Sequence, residues 1–161
     1  MIDERLCQLA RPGAEVHRSS SLTLEEISDL VIRSAKNGKI VARLQSGDPS
    51  LYGAIHEQIA RLDGAGVRWS IVPGVSSAFA AAAALGVELT VPEVTQTVIM
   101  TRVSGRASPV PEREELRGLA AHGATLVLFL SVAYVERVVA ELLAGGYAPE
   151  TPAAVVYRVT W

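Results

Sequence analysis

Lys39-Ile40-Val41-Ala42-Arg43-Leu44-Gln45-Ser46-Gly47-Asp48-Pro49 decides the fold. A short apolar run of strand length stops at a loop of small and polar residues. Ile55, Ile59 and Leu62 follow at helical spacing, with Gly66 where a C-terminal cap belongs. The pattern then repeats. Val67, Trp69 and Ile71 alternate as in a strand, which ends at Val72-Pro73-Gly74-Val75-Ser76-Ser77. An alanine-rich helix from Ala78 to Leu85 comes next, with Gly86 behind it. Helix, strand, loop, helix, strand, loop, helix is the rhythm of a parallel α/β sheet.

Upstream, Ile2 to Arg11 is a short helix candidate ended by Pro12-Gly13. Thr23 and Glu26 have the capping-box spacing, in which each side chain satisfies a backbone donor of the other. Leu24, Ile27, Leu30 and Val31 keep one apolar helical face, and Gly38 closes that helix.

Downstream, the rhythm breaks between Gly86 and Thr95, where Val87 to Pro92 reads as a connector and Pro92 argues against a central strand. A domain boundary is expected there, dividing the chain into residues 1–88 and 89–161. Thr97 to Thr101 and Thr125 to Leu130 are strand-like, separated by a helix with an acidic start at Glu112, Glu114 and Glu115. Ser131 is expected to cap a further helix running to Leu143, and Ala153 to Tyr157 is a last strand after the turn at Pro149-Glu150-Thr151-Pro152. Both ends read as abrupt. The chain opens on a helix, with no first strand, and stops at Trp161 directly after a strand, so it is expected to be truncated at both ends.

The bulk numbers exclude several classes. Apolar residues make up 49% and charged residues 20% of 161, a globular balance rather than a disordered one. A formal net charge of -2 leaves no basic footprint for nucleic acid. Cys7 has no cysteine to pair with, and it reads as a small buried residue. No apolar run approaches the roughly 20 residues that span a bilayer, and the N-terminus does not read as a signal peptide. A soluble, cytoplasmic protein with no membrane partner is the expectation. His17, His56 and His122 lie far apart with no metal-ligand spacing, so no metal site is expected. Gly64-Ala65-Gly66 follows a helix and precedes a strand, the reverse of the dinucleotide-binding context.

The two loops carry the candidate chemistry, because open α/β sheets bind ligands at the carboxyl ends of their strands. In Ser46-Gly47-Asp48-Pro49-Ser50-Leu51-Tyr52-Gly53, a glycine admits a ligand to the backbone and the carboxylate accepts from its hydroxyls or amine. Taken alone, this loop reads more readily as a turn with Asp48 capping a helix and Pro49 at its first position. In the second loop the choice is even: Ser76 and Ser77 either border a ligand or cap a packed alanine helix. The spacing from Asp48 to Ser76 leaves room for one helix and one strand, which places both loops on one sheet edge.

Those loops, together with Leu89-Thr90-Val91-Pro92-Glu93-Val94-Thr95-Gln96-Thr97-Val98-Ile99, resemble the tetrapyrrole methylases of sirohaem and cobalamin synthesis. Ala10-Arg11-Pro12-Gly13-Ala14-Glu15-Val16, Pro109-Val110-Pro111-Glu112 and Val155-Val156-Tyr157-Arg158-Val159-Thr160-Trp161 look like the precorrin-4 C11 members. The resemblance implies a two-domain α/β fold, with a parallel N-terminal domain and a mixed-sheet C-terminal one. It implies S-adenosyl-L-methionine as cofactor, a reduced tetrapyrrole as substrate and methyl transfer to C11; a homodimer is expected from the missing first strand. By position, it carries cofactor binding onto Ser46, Gly47, Asp48, Leu51 (on the following helix), Ser76, Ser77, Leu130 and Val159. It names no catalytic acid or base. Arg102, Arg106 and Arg113 flank a loop and are equally carboxylate partners for the substrate or solvated surface.

One departure is plain: residues 1–10 match nothing of the family's opening strand and glycine- and proline-rich loop. Self-association and weak or absent methyl transfer are therefore expected. The rival readings are a non-catalytic binding or assembly module, and a related methylase acting at another ring position.

Overall fold

The capping box at Thr23 starts the first helix where the spacing places it. The computed structural model describes residues 2–105 and 109–159. The sequence candidate at the N-terminus is a 3-10 helix, Glu4–Leu9, capped by Asp3. Helix α1 spans Leu24–Lys36, with Glu26 N donating to Thr23 Oγ1 at 3.2 Å and Thr23 N donating to Glu26 Oε2 at 2.8 Å. It ends when Gly38 N donates to Ala35 O and Lys39 N to Ser34 O, the paired bonds that satisfy the last carbonyls. Helix α2, Ile55–Gly64, closes on the same pair of bonds through Gly66 and Val67. So does α3, Ser77–Leu85, through Gly86 and Val87.

The chain divides into two compact units, one running up to Ala80 and the other covering Ala81–Val159. The division falls inside α3, ahead of the connector at which sequence places the boundary. In the first unit Arg61 bonds Asp29 at 2.7 Å, linking α2 to α1. The buried positions there are Ile27, Ser28, Ser76 and Ala78.

Strands were expected at 39–44 and 67–71, and here the structure differs. Among the described residues, neither stretch belongs to a ladder. Alternating apolar residues express what a strand would bury, but the strand itself exists only through a neighbour's backbone in hydrogen-bonding register. Without that register, the apolar side chains stay wet: Ile40 is 100% exposed and Trp69 44%. The stretch 153–157 is likewise without a ladder, with Val155 and Tyr157 exposed.

In the second unit the connector closes as a tight turn, Val91 and Thr95 exchanging backbone bonds around Glu93. Strand β1, Val98–Arg102, then pairs in parallel with β2, Thr125–Phe129, in the register Val98 to Thr125 through Arg102 to Phe129. The acidic helix between them is broken in two. A 3-10 turn at Glu112–Glu114 is separated from α4, Leu116–Ala120, by the extended backbone of Glu115, at ψ 137°. After β2 a 3-10 turn, Val132–Tyr134, leads into α5, Val135–Ala144. Val103, Leu116 and Val138 form the core, with Leu126, Leu128, Tyr134 and Leu142 packed around it. Ser131 stands before that turn, but its side chain makes no capping bond, so the expected cap is corrected. Its hydroxyl is held by the ends of the two strands instead.

Candidate functional site

Asp48 brings the two loops of the first unit together. Its Oδ1 accepts from Ser50 N at 2.8 Å and its Oδ2 from Gly74 N at 3.0 Å. These backbone bonds, Ser50 first and Gly74 second, hold its carboxyl below the ordinary value of 3.8. The helix cap that this loop suggests when taken alone is therefore not formed. Residues 49–52 form a turn, α2 begins only at Ile55, and the bonds of Asp48 go to loop amides. Leu51 stands in that turn, not on the following helix, with its N donating to Asp48 O.

Gly74 is where the loops touch. A Cβ there would lie 2.2 Å from Gly47 O, so only a residue without one allows the approach. Gly47 has φ 71°, and a Cβ built on it would be 3.6 Å from Ser77 N and 3.9 Å from Val75 O. Gly53 packs as tightly against Pro49, and Gln45 Nε2 donates to Gly53 O at 3.1 Å, closing the first loop on itself. Ser46, Gly47, Asp48 and the start of α3 are thus one neighbourhood. Within it the two serines differ. Ser76 is buried, its Oγ accepting from Ala78 N at 3.3 Å as a cap on α3, whereas Ser77 is exposed.

Leu130 and Val159 belong to the second unit. Leu130 leaves β2 at φ 53° and is 75% exposed; Val159 is half-buried and follows Arg158 at φ 50°. Five non-glycine residues have positive φ among the described residues: Tyr52, Ala54, Glu93, Leu130 and Arg158. Three of them, Tyr52, Leu130 and Arg158, lie at or beside a candidate cofactor position. Backbone strain of this kind costs on the order of 1–3 kcal/mol and concentrates where function holds it.

Near the end of β1 a small cavity of about 70 Å³ is lined by Arg102, Ser104, Glu114, Glu115 and Arg137 among others. Arg137 Nη1 donates to Ser104 O at 3.3 Å, and Arg102 Nη2 to Pro109 O at 3.3 Å. Arg113 lies in the 3-10 turn, not on this lining, and Arg106, Thr160 and Trp161 are outside the described residues. Sequence reading places Gly74 in the second loop and Ser131 at a helix cap without giving either its role between segments, and it does not single out Arg137. Only Gly74, in a Pro-Gly pair at the end of an apolar run, carried a local signal.

Comparison with known proteins settles the ancestry. The family model of Tetrapyrrole (Corrin/Porphyrin) Methylases matches residues 2–161. The chain belongs to this family. It is 51% identical over 161 residues to a cobalt-precorrin-4 C(11)-methyltransferase of Methanocaldococcus jannaschii, covering 100% of this chain and 62% of that protein. The X-ray structure of a cobalt precorrin-4 methyltransferase from cobalamin biosynthesis superposes with a TM-score of 0.94 at 46% identity, covering 99% of this chain and 66% of that one. Uroporphyrin-III C-methyl transferase from Thermus thermophilus, solved with S-adenosyl homocysteine, superposes at 0.71 with 30% identity, covering 91% of this chain and 62% of that one. The tetrapyrrole methylase fold is therefore present. The chain spans about 62% of the length of the curated relative.

Proposed function

We propose that this chain binds S-adenosyl-L-methionine and belongs to a methyltransferase acting at C11 of precorrin-4 or cobalt-precorrin-4. The observation that carries the reading is the Asp48–Gly74 junction, which fixes two loops against each other beside Gly47 and Ser77. Cofactor contacts are assigned to Ser46, Gly47, Asp48, Leu51, Ser76, Ser77, Leu130 and Val159. The residues fit such a group. An ionised carboxylate has about four lone-pair positions, so Asp48 keeps acceptors for ligand hydroxyls after its two backbone bonds. Leu130 adds exposed apolar surface for a flat ring.

When bound, the sulfonium supplies an already activated methyl group. What remains for the protein is to align donor and acceptor and to exclude water, which needs no nucleophile or acid/base set of its own. Support for the C11 position and for the corrinoid substrate comes from the relatives' identity. A cytoplasmic homodimer goes with this reading. Its support is the exposed apolar set at Ile40, Val72 and Val75, which a second copy would cover.

Calorimetry with S-adenosylhomocysteine tests the binding, and a methyl-transfer assay on cobalt-precorrin-4 tests the chemistry. Binding with turnover supports the whole reading. Binding without turnover leaves a binding module, and no binding removes the loops from any cofactor site.

A further inference from the structure

We infer that Ser131 is a positioning residue of the cofactor site, acting through Leu130. The inference rests on the cofactor reading above. The ladder of β1 and β2 ends at the pair Arg102 and Phe129. The next donor on β1 is Val103 N–H, on a residue only 5% exposed in the core with Leu116 and Val138. In a continuing parallel ladder this amide would meet a main-chain carbonyl of β2. It donates instead to Ser131 Oγ at 3.0 Å, and the same hydroxyl donates to Phe129 O at 2.6 Å. Ser131 is itself 3% exposed, and its carbonyl accepts from Tyr134 N at 2.9 Å, anchoring the turn into α5.

One hydroxyl therefore does the work of a peptide group at the end of the sheet. It accepts from one strand and donates to the other, so β2 can stop without leaving the Val103 amide unmet. Leu130 is the residue between the two anchored points. With Phe129 O and Ser131 Oγ joined, the backbone turns sharply at Leu130, which takes φ 53° and is 75% exposed. Leucine is a poor choice for that conformation. A glycine would adopt it freely, and the loop would close just as well. The strained backbone is tolerated for the side chain it presents, at the carboxyl end of a parallel strand where such sheets take ligands.

Three variants separate the roles. Ser131→Ala is expected to weaken S-adenosylhomocysteine binding by about tenfold, in line with a lost hydrogen bond and a loosened turn. Hydrogen exchange of the Val103 amide is expected to accelerate in the same variant. Ser131→Thr keeps the hydroxyl and should restore both. Leu130→Gly should weaken binding by a similar factor while its melting temperature stays at or above that of the unaltered chain. Faster Val103 exchange with unchanged affinity in Ser131→Ala would overturn the inference. If that variant fails to fold, unchanged affinity in Leu130→Gly does so instead. A lack of binding by the unaltered chain is a separate result, visible before any substitution, and it overturns the cofactor reading together with the role given to Leu130.

Discussion

The carboxylate of Asp48 accepts the amide of Gly74 at 3.0 Å, across a separation of 26 residues. This bond, with the close approach of Gly74 to Gly47 O, makes two loops behave as one. It ties the loop that follows 39–44 to the entry of α3, so any ligand resting on Gly47 also feels the position of Ser77.

Gly74→Ala is expected to separate the loops. The added Cβ would stand 2.2 Å from Gly47 O, which is backbone and cannot rotate away. Overpacking of this sort costs typically about 1–3 kcal/mol. S-adenosylhomocysteine affinity should fall at least as much as stability, read by calorimetry and a denaturant melt. Gly47→Val acts differently, because the nearest atoms lie at 3.6 Å and the obstacle is φ 71°. It should abolish binding through strain and lost access while leaving the fold largely intact, and unchanged affinity would remove this loop from the site.

The carboxyl of Asp48 is expected to titrate below 3.8, since backbone bonds from Ser50 and then Gly74 favour its charged form. A folded value below the unfolded one means the stabilising bonds are fully present above 3.8 and are lost as pH falls through the lower, folded value. The Gly74 amide shift in an NMR titration should move with the same midpoint as the Asp48 carboxyl carbon. Asp48→Asn should abolish that movement. A Gly74 shift that stays flat would show the two loops to be unjoined in solution.

Much of this was legible in the sequence, and the failures share one cause. The box at Thr23 and Glu26 was readable because both partners lie within one helical turn. The stops at Gly38, Gly66 and Gly86 were readable for the same reason. Taken alone, the spacing of Asp48 to Pro49 suits a local cap; its partner in the second loop is set by the fold and leaves no trace nearby. Ser131 misled likewise, for its hydroxyl serves Val103 across the sheet rather than the following turn. The apolar runs 39–44 and 67–71 announced their pattern, but pattern alone does not supply a paired backbone.

Ser76 and Ser77 are expected to respond in opposite ways. Ser76 is buried and caps α3 through Ala78 N, so Ser76→Ala should cost about 0.5–2 kcal/mol of stability with a smaller effect on affinity. Ser77 is exposed at the loop junction. Ser77→Phe should therefore weaken S-adenosylhomocysteine binding more than it lowers the melting temperature. Equal losses in Ser77→Phe would assign that serine to the packing of the helix start.

Self-association is the last expectation, and it follows from the exposed stretches of the first unit. Ile40 is 100% exposed and Val72 79%, and Val41, Leu44, Trp69, Ile71 and Val75 are exposed as well. A monomer holding so many apolar side chains in water, on backbone that belongs to no ladder, is an invitation to pair with a second copy. Burying one isoleucine fully is worth roughly 1.5–3 kcal/mol, and 1.4 kcal/mol is a tenfold change in an equilibrium. Ile40→Lys should therefore raise the dissociation constant of the dimer by at least about tenfold, and Val72→Lys should act in the same direction. Sedimentation velocity across a hundredfold range of concentration, on the order of micromolar upward, reads the effect directly. A stable monomer throughout that range would mean these side chains remain wet, and the homodimer would have to be given up.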